Sequence, residues 1–352
     1  MEHQTSKVRY VQLDQTRGLA IAAMIVAHFG PGFYERLDIS GVLLDSLLFF
    51  GRLATPSFII VYGITLGLVY LPRYMSSREQ TSIKLFRRSA TVLSYAILIS
   101  IPAVIDLVAD AEPSDDDFTW QFALCLYSVL LFYTLAMLIT PLVLDWIKDE
   151  PMWKSIAIGS ALILIGTKLA FSVWPYTGPG PLEYTRLLLV SGKYGLLTCY
   201  GCAACVIPIG YALHQQIRAP AEVERRILYL SFATIGLSLS ASFLVGARQI
   251  GDYATQYGNP PQFWYIFLAG GLSVLYMITI AKVHIPFYSR FLENTGKHPL
   301  QIYAAHEFVL PVASWLKDVV DPTVAVVVPL ATFLLYWVLK TGIVRTSSQA
   351  GP

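Results

Sequence analysis

The residues best suited to chemistry in this sequence are an arginine and a histidine in its first apolar run. Arg17 and His28 belong to the stretch TRGLAIAAMIVAHFGPG, residues 16–32. Their spacing puts both side chains on nearly the same face of an α-helix, roughly 16 Å apart along its axis. An ionisable side chain is costly inside a membrane and usually faces a cavity or a partner. His28 is therefore either a functional residue or a packing residue that hydrogen-bonds a neighbouring helix.

A second ionisable pair lies near the end of the chain. His306 and Glu307 fall inside the apolar run at residues 300–316. A histidine next to a glutamate within a membrane is a functional candidate by default, and a structural hydrogen bond is the alternative. Lys168 also lies in an apolar run, where it either extends toward the interface or pairs with another group.

These side chains require a helical, membrane-embedded scaffold to position them. Of the 352 residues, 55% are hydrophobic and only 14% are charged, whereas a soluble domain carries about 25% charged residues. A hydrocarbon core of about 30 Å needs about 20 apolar residues per helix. The sequence therefore predicts an all-α, polytopic integral membrane protein that forms a single domain over residues 1–352. About ten transmembrane helices are predicted, at residues 18–35, 53–72, 89–109, 122–146, 155–174, 186–213, 227–247, 263–283, 300–316 and 323–342.

Lysines and arginines predict which side of the membrane each loop faces. With the N-terminus in the cytoplasm, most of the 25 basic residues fall in inner segments, and cytoplasmic loops are enriched in positive charge. Both termini are therefore expected in the cytoplasm. The apolar stretch at 38–52 is interrupted by Asp45 and glycines, so we expect it to lie along the outer interface or to re-enter the membrane.

Composition argues against several other classes of protein. A net charge of +2 without a long basic patch gives no indication of nucleic-acid binding. The segment CYGCAAC, residues 199–205, has the spacing of some metal sites, but it lies in an apolar run with no fourth cysteine or nearby histidine. We interpret its small residues as close helix packing, and no metal is expected.

Four short motifs, in chain order, resemble those of a known membrane enzyme family. LDQTRGLAIAAMIVAH (13–28) resembles the first-helix signature of the membrane acyltransferase-3 superfamily, in which an aspartate precedes Arg-Gly and a histidine follows. GRLATPSFIIVYGITLG (51–67) and KLFRRSATVLSY (84–95) are similar to its second helix and to the basic start of its third. NPPQFWYIFLAGGLSVLY (259–276), followed by LENTGKHPLQIYAAHEFVLP (292–311), resembles the branch that contains heparan-α-glucosaminide N-acetyltransferase.

This resemblance implies transfer of an acyl group, with acetyl the first expectation, from cytoplasmic acyl-CoA to a carbohydrate or similar acceptor outside. His28 would be the general base, acting directly or through an acyl-histidine intermediate. Guanidinium and ammonium groups bind phosphates, so the candidate CoA-binding residues are Arg17, Lys84, Arg87 and Arg88. Arg17 lies three residues after Asp14 and can pair with it on one helix face, so an architectural role is the alternative for Arg17. Basic residues are expected at a cytoplasmic loop without any ligand as well.

Three further residues are candidates for binding the acceptor hydroxyl or amine, and they are Arg52, His306 and Glu307. The expected partners are membrane lipids and the small acceptor. A bacterial inner membrane is the expected location. The alternative function is a transporter or flippase for a small polar or lipid-linked molecule, in which His28, His306 and Lys168 would bind substrate or couple protons. A non-catalytic membrane subunit with the same fold is a third possibility.

Overall fold

The computed structural model of the chain describes residues 10–34, 38–110, 118–174, 180–191, 194–215, 220–249, 252, 262–280, 286–316 and 320–341. These residues form helices joined by short turns, and no β-strand occurs among them. The helices are α1 (Val11–Tyr34), α2 (Gly41–Arg52), α3 (Ala54–Thr65), α4 (Leu71–Ser76), α5 (Arg78–Asp110), α6 (Phe118–Cys125), α7 (Val129–Ile147), α8 (Pro151–Lys168), α9 (Pro181–Arg186), α10 (Leu196–Cys205), α11 (Ile207–Gln215), α12 (Pro220–Leu244), α13 (Phe263–Ile280), α14 (Pro286–Lys297), α15 (Pro299–Leu316) and α16 (Pro322–Thr341). Three π-helical segments, at Leu66–Tyr70, Leu169–Val173 and Leu187–Ser191, continue α3, α8 and α9.

Five helical segments in the described chain are long and apolar enough to cross a membrane. They are Gly41–Ser76, Arg78–Val108, Val129–Ile147, Leu196–Gln215 and Glu224–Leu244. The all-α prediction is therefore confirmed, and each of the ten predicted spans overlaps at least one helix. The span count of ten stays a prediction. The cytoplasmic location of both termini also stays a prediction. Residues 1–9 and 342–352 lie outside the described residues.

The spanning helices differ in how much protein surrounds them. In Gly41–Ser76, 72% of the most apolar window is buried, compared with 22% in Arg78–Val108 and in Glu224–Leu244. The last two helices expose large apolar side chains such as Ile105 and Leu237. Contiguous exposed apolar surface of this kind marks a membrane-facing region. The helix through residues 41–76 is thus central, and α5 and α12 face lipid.

The stretch at 38–52 differs from its prediction. It is not broken by its glycines but forms α2 and continues through Leu53 into α3. Its position at the interface or as a re-entrant segment stays a prediction. Gly51, which looks like a break in the sequence, is a contact point: a Cβ there would lie 2.9 Å from Ala27 on α1. Small residues let neighbouring helices approach closely in membranes. This contact brings α2 against the half of α1 that carries His28.

Two glycines let α1 cross closely against α14. A Cβ on Gly18 would collide with the carbonyl oxygen of Leu292, and one on Gly296 would collide with that of Asp14. The amphipathic α14 therefore packs backbone to backbone on the first turns of α1. This crossing holds Asp14 and Arg17 in position.

Another pair of glycines brings α3 against α10 and α11. Gly63 and Gly67 lie four residues apart, and a Cβ on either would meet the carbonyl oxygen of Ala203 or Ile207. This is the small-xxx-small pattern by which membrane helices approach each other. The cysteine run lies in the same packed region, with Cys199 and Cys202 buried. The cysteine run therefore takes part in close helix packing, as the sequence predicts.

Candidate functional site

His28 meets the second ionisable pair of the sequence across the helix bundle. Its Nδ1 lies 2.9 Å from Nε2 of His306, and the two ring centroids are 5.0 Å apart. The contact joins α1 to α15, which are separated by most of the chain. Both residues were chosen as candidates from the sequence, but in different roles. The structure brings the proposed base and the proposed acceptor-binding pair into one cluster.

A carboxylate completes this cluster. Glu307 Oε1 lies 3.3 Å from His306 Nε2 and 3.8 Å from His28 Nδ1. The side chain of His306 is fully buried, whereas those of His28 and Glu307 are 30% and 24% exposed. The cluster therefore has an inner member without solvent contact and two members that reach accessible space. We call His28, His306 and Glu307 the histidine cluster.

His306 is held rigidly within α15. Its Nδ1 lies 2.5 Å from the backbone carbonyl oxygen of Tyr303. The rings of Tyr303 and Phe333 pack edge-on against it, with centroids at 5.0 and 6.2 Å. A buried side chain with a packed ring and a hydrogen bond at each ring nitrogen has little freedom to rotate.

A cavity of about 110 Å³ lies next to the cluster. We call it the histidine cavity. Its polar lining comes from His28, Arg52, Thr55, Tyr194 and Tyr303, and Gly51 and Ala27 line the α1–α2 side. Arg52 is exposed there, so a cation lies at the same cavity as the imidazole. Polar groups that converge in an otherwise apolar pocket are typical of a site that orients a small molecule.

A second cavity, of about 300 Å³, contains the arginines, and we call it the arginine cavity. Arg17 and Arg88 line it together with Tyr62, Tyr133 and a set of aliphatic side chains. Arg17 donates to Thr65 Oγ1 at 2.7 Å and contacts Asp14 Oδ1 at 3.4 Å, which bears out their predicted pairing. The result is an apolar chamber with two guanidinium groups in its wall.

A π-helical segment positions both arginines. Thr65, the hydrogen-bond partner of Arg17, immediately precedes Leu66–Tyr70, and Tyr70 at its other end accepts a hydrogen bond from Arg88 at 3.3 Å. A π-helical turn inside an α-helix is uncommon and occurs frequently at functional sites. Sequence reasoning missed this feature, because the segment LGLVY carries no signal that distinguishes it from a regular α-helix.

The two cavities share part of their lining. Phe58, Val129 and Tyr303, from α3, α7 and α15, border both. We call these three residues the shared wall. Arg17 lines the arginine cavity and His28 lines the histidine cavity, and both belong to α1. Tyr303 lies three residues before His306, so helical spacing was the one signal in the sequence that could have identified it.

Four predicted site residues are absent from both cavity linings. His306 and Glu307 belong to the histidine cluster instead. Lys84 and Arg87 are exposed on α5, and neither belongs to the lining of the arginine cavity. Arg87 and Arg88 are adjacent, so they point in directions about 100° apart on the helix. Only Arg88 is turned toward the chamber that contains Arg17.

The donor atoms of the histidine cluster lie within 4.8 Å of one another, a distance at which a metal ion could also be held. However, a hydrogen bond joins the two imidazole nitrogens. We therefore interpret the cluster as a hydrogen-bonded network. For an anionic cofactor, the guanidinium groups of Arg17 and Arg88 offer donors suited to phosphate.

Comparison with known proteins identifies the family. A family profile described as "Heparan-alpha-glucosaminide N-acetyltransferase, catalytic" matches residues 9–185. No curated protein matches the chain significantly. The matched residues include Arg17, His28, Arg52 and Arg88, whereas His306 and Glu307 lie beyond the match. The match does not favour the transporter alternative. With its apolar spanning helices and a match over half its length, the chain belongs to the heparan-alpha-glucosaminide N-acetyltransferase catalytic family of membrane acetyltransferases.

Proposed function

We propose that this protein moves an acetyl group from acetyl-CoA to an amino or hydroxyl group of a carbohydrate acceptor, with His28 as the general base. One observation carries the proposal: a cavity lined by two arginines and a cavity lined by the imidazole of His28 share a wall. A donor and an acceptor that enter from opposite sides would meet at this wall.

The arginine cavity is the proposed donor site. Small-molecule sites have volumes of about 300–1,000 Å³, so this chamber suits the pantetheine arm of CoA better than the whole molecule. Arg17 and Arg88 would bind the CoA phosphates at the end of this arm by charge-assisted hydrogen bonds. The apolar remainder of the lining suits the uncharged part of the arm.

The histidine cavity is the proposed acceptor site. Arg52 and Tyr194 offer hydrogen-bonding groups at its wall, and the family name suggests a terminal α-glucosaminide as the first acceptor to test. His28 would take a proton from the acceptor as its nitrogen or oxygen attacks the thioester carbon. The C–S bond then breaks, and the CoA thiolate receives a proton, so that the base is restored. An acetyl-histidine intermediate is the alternative route.

The proposed topology follows from charge. Most lysines and arginines fall on one side of a ten-span arrangement with both termini in the cytoplasm. The arginine cavity would then open toward cytoplasmic acetyl-CoA and the histidine cavity toward the other side. We propose a bacterial inner membrane as the location. Membership of the wider acyltransferase-3 superfamily remains a prediction from the motifs.

The test is acetyl-CoA consumption by the purified full chain, with glucosamine-ended oligosaccharides and simple sugars as acceptors. His28→Ala should lower kcat by at least about 100-fold, the lower range of general acid–base catalysis, with unchanged binding of acetyl-CoA. His214→Ala on α11 is the matched control and should behave as the wild type. Equal turnover in His28→Ala and wild type would contradict the proposed base. Failure of the wild type to bind CoA would contradict the enzyme itself.

A further inference from the structure

A backbone carbonyl group determines which of the two histidines donates the hydrogen bond between them. A carbonyl oxygen only accepts hydrogen bonds, so the Nδ1 atom of His306 must carry the proton that Tyr303 O accepts. A neutral imidazole has one protonated and one bare nitrogen. The Nε2 atom of neutral His306 is therefore an acceptor.

This assignment fixes the tautomer of His28 in turn. Its Nδ1 lies 2.9 Å from Nε2 of His306, so while His306 is neutral the proton of this hydrogen bond is carried by His28 Nδ1. The basic nitrogen of His28 is then Nε2. Because the hydrogen bond made by one ring nitrogen decides the state of the other, the tautomer of a histidine is set by its second partner.

We infer that His306 is a positioning residue, which holds His28 with Nε2 as the base, and that Glu307 stabilises the positive charge that forms during proton transfer. The inference rests on the proposed function, because it assigns roles around the proposed base. It replaces acceptor binding, the role that the sequence suggested for His306 and Glu307.

The burial of His306 supports a role that acts through His28. Its side chain is 0% exposed and does not line the histidine cavity. His306 therefore cannot contact an acceptor in the cavity and can affect it only through its hydrogen bond to the His28 ring. The packing of Tyr303 and Phe333 on its ring keeps Nε2 aimed at α1.

The proton path has two steps that balance. The acceptor proton moves to Nε2 of His28 as the new bond to the acetyl carbon forms. The Nδ1 proton of His28 can then pass to Nε2 of His306, and the positive charge lies 3.3 Å from the Glu307 carboxylate. Return of both protons along the same path delivers one proton to the departing CoA thiolate. No oxidant or metal is required.

Other charged and titratable groups also face His28. Tyr303 on α15 and Tyr194 line the same cavity, as does Arg52 on α2. The charge of Arg52 disfavours a positive charge on the His28 ring, whereas the carboxylate of Glu307 favours it. Glu307 is the one carboxylate that is paired with His28 among the residues the structure describes.

The experiment compares two substitutions at His306 in the purified full chain. In His306→Gln, the amide oxygen can still accept from His28 Nδ1, whereas His306→Phe removes the acceptor and keeps a ring. His306→Phe should lower kcat about 100-fold, with an unchanged Kd for acetyl-CoA, because the base loses its orientation. The kcat of His306→Gln should be at least about tenfold higher than that of His306→Phe, since the glutamine restores a hydrogen bond that orients the base. Equal losses in both variants, or a loss of acetyl-CoA binding in both, would overturn the inference.

The pH profile of Glu307→Gln tests the role of the carboxylate, because a purely structural role would not shift that profile. Without the carboxylate, the protonated ring is less stabilised, so the acidic limb of the kcat/KM profile should move to lower pH. An unchanged profile with normal kcat would overturn the role of Glu307. If a chelator abolishes wild-type activity and Zn²⁺ restores it, the cluster binds a metal and the inference is wrong.

The outcomes separate the inference from the function on which it rests. Activity in His28→Ala would contradict the proposed base, whatever the His306 variants do. An inactive His28→Ala together with a fully active His306→Phe would contradict only the positioning role.

Discussion

The arginine cavity and the histidine cavity are neighbours that differ in their ionisable lining. The larger one, about 300 Å³, has the guanidinium groups of Arg17 and Arg88 in an apolar wall, whereas the smaller one, about 110 Å³, is lined by the imidazole of His28, with Arg52 beside it. Guanidinium groups stay charged and suit binding, whereas imidazoles change protonation and suit proton transfer. Under the proposed function, this difference divides donor binding from proton transfer between the two cavities. Among the residues that the structure describes, the two linings share the three side chains of the shared wall.

Removal of both guanidinium groups should have the largest effect on the donor side. In Arg17→Gln with Arg88→Gln, the Kd for acetyl-CoA should rise about 100-fold, because two charge-assisted hydrogen bonds are lost. Equilibrium binding to the detergent-purified protein measures this. Arg226→Ala, an exposed cation on α12 that pairs with Glu222, is the control.

If the double variant binds acetyl-CoA as tightly as wild type does, the arginine cavity is not the donor site. The assignment of the two cavities to donor and acceptor would then be wrong. The roles proposed for the histidine cluster would not be affected by this result.

A smaller effect is expected on the other side of the shared wall. Arg52→Ala should raise the acceptor KM about tenfold, because one hydrogen bond from a charged group is lost at the rim of the cavity. The Kd for acetyl-CoA should stay within about twofold of wild type. Steady-state kinetics with varied acceptor measure the first, and binding measures the second. The reverse pattern, with weaker donor binding, would mean that the cavities have exchanged roles.

The smallest effect is expected just outside the arginine cavity. Arg87→Ala should change the Kd for acetyl-CoA by no more than about twofold, because Arg87 does not line the cavity and a surface charge away from a site contributes little. Arg88→Ala, one position further along α5, should change it about tenfold. Equal effects would mean that the phosphates bind to the basic surface at the start of α5 instead of to the cavity.

Several features of the fold could be predicted from local pattern. The apolar runs gave helices at all ten predicted positions, because hydropathy and helical period are properties of neighbouring residues. The predicted boundaries were less accurate. Gly51 looked like an interruption because its role is to contact α1, and such a contact is not visible in one segment alone.

The site was predicted in part. Arg17 and His28 share one face of α1, and each lines one of the two cavities. Arg87 and Arg88 are equivalent candidates by sequence, but of the two only Arg88 lines the chamber. The residues of the shared wall were missed, since phenylalanine, valine and tyrosine in an apolar helix look like any other core residue.

The sequence by itself determined that this is a helical membrane protein, which side chains are ionisable within it, and which of them share a helix face. Those properties depend on composition and on a period of about 3.6 residues. Only the tertiary structure decided that His28 meets His306 and Glu307, because that contact joins α1 to α15. It depends on the packing of helices from both ends of the chain, including glycine contacts whose partners lie far away in sequence.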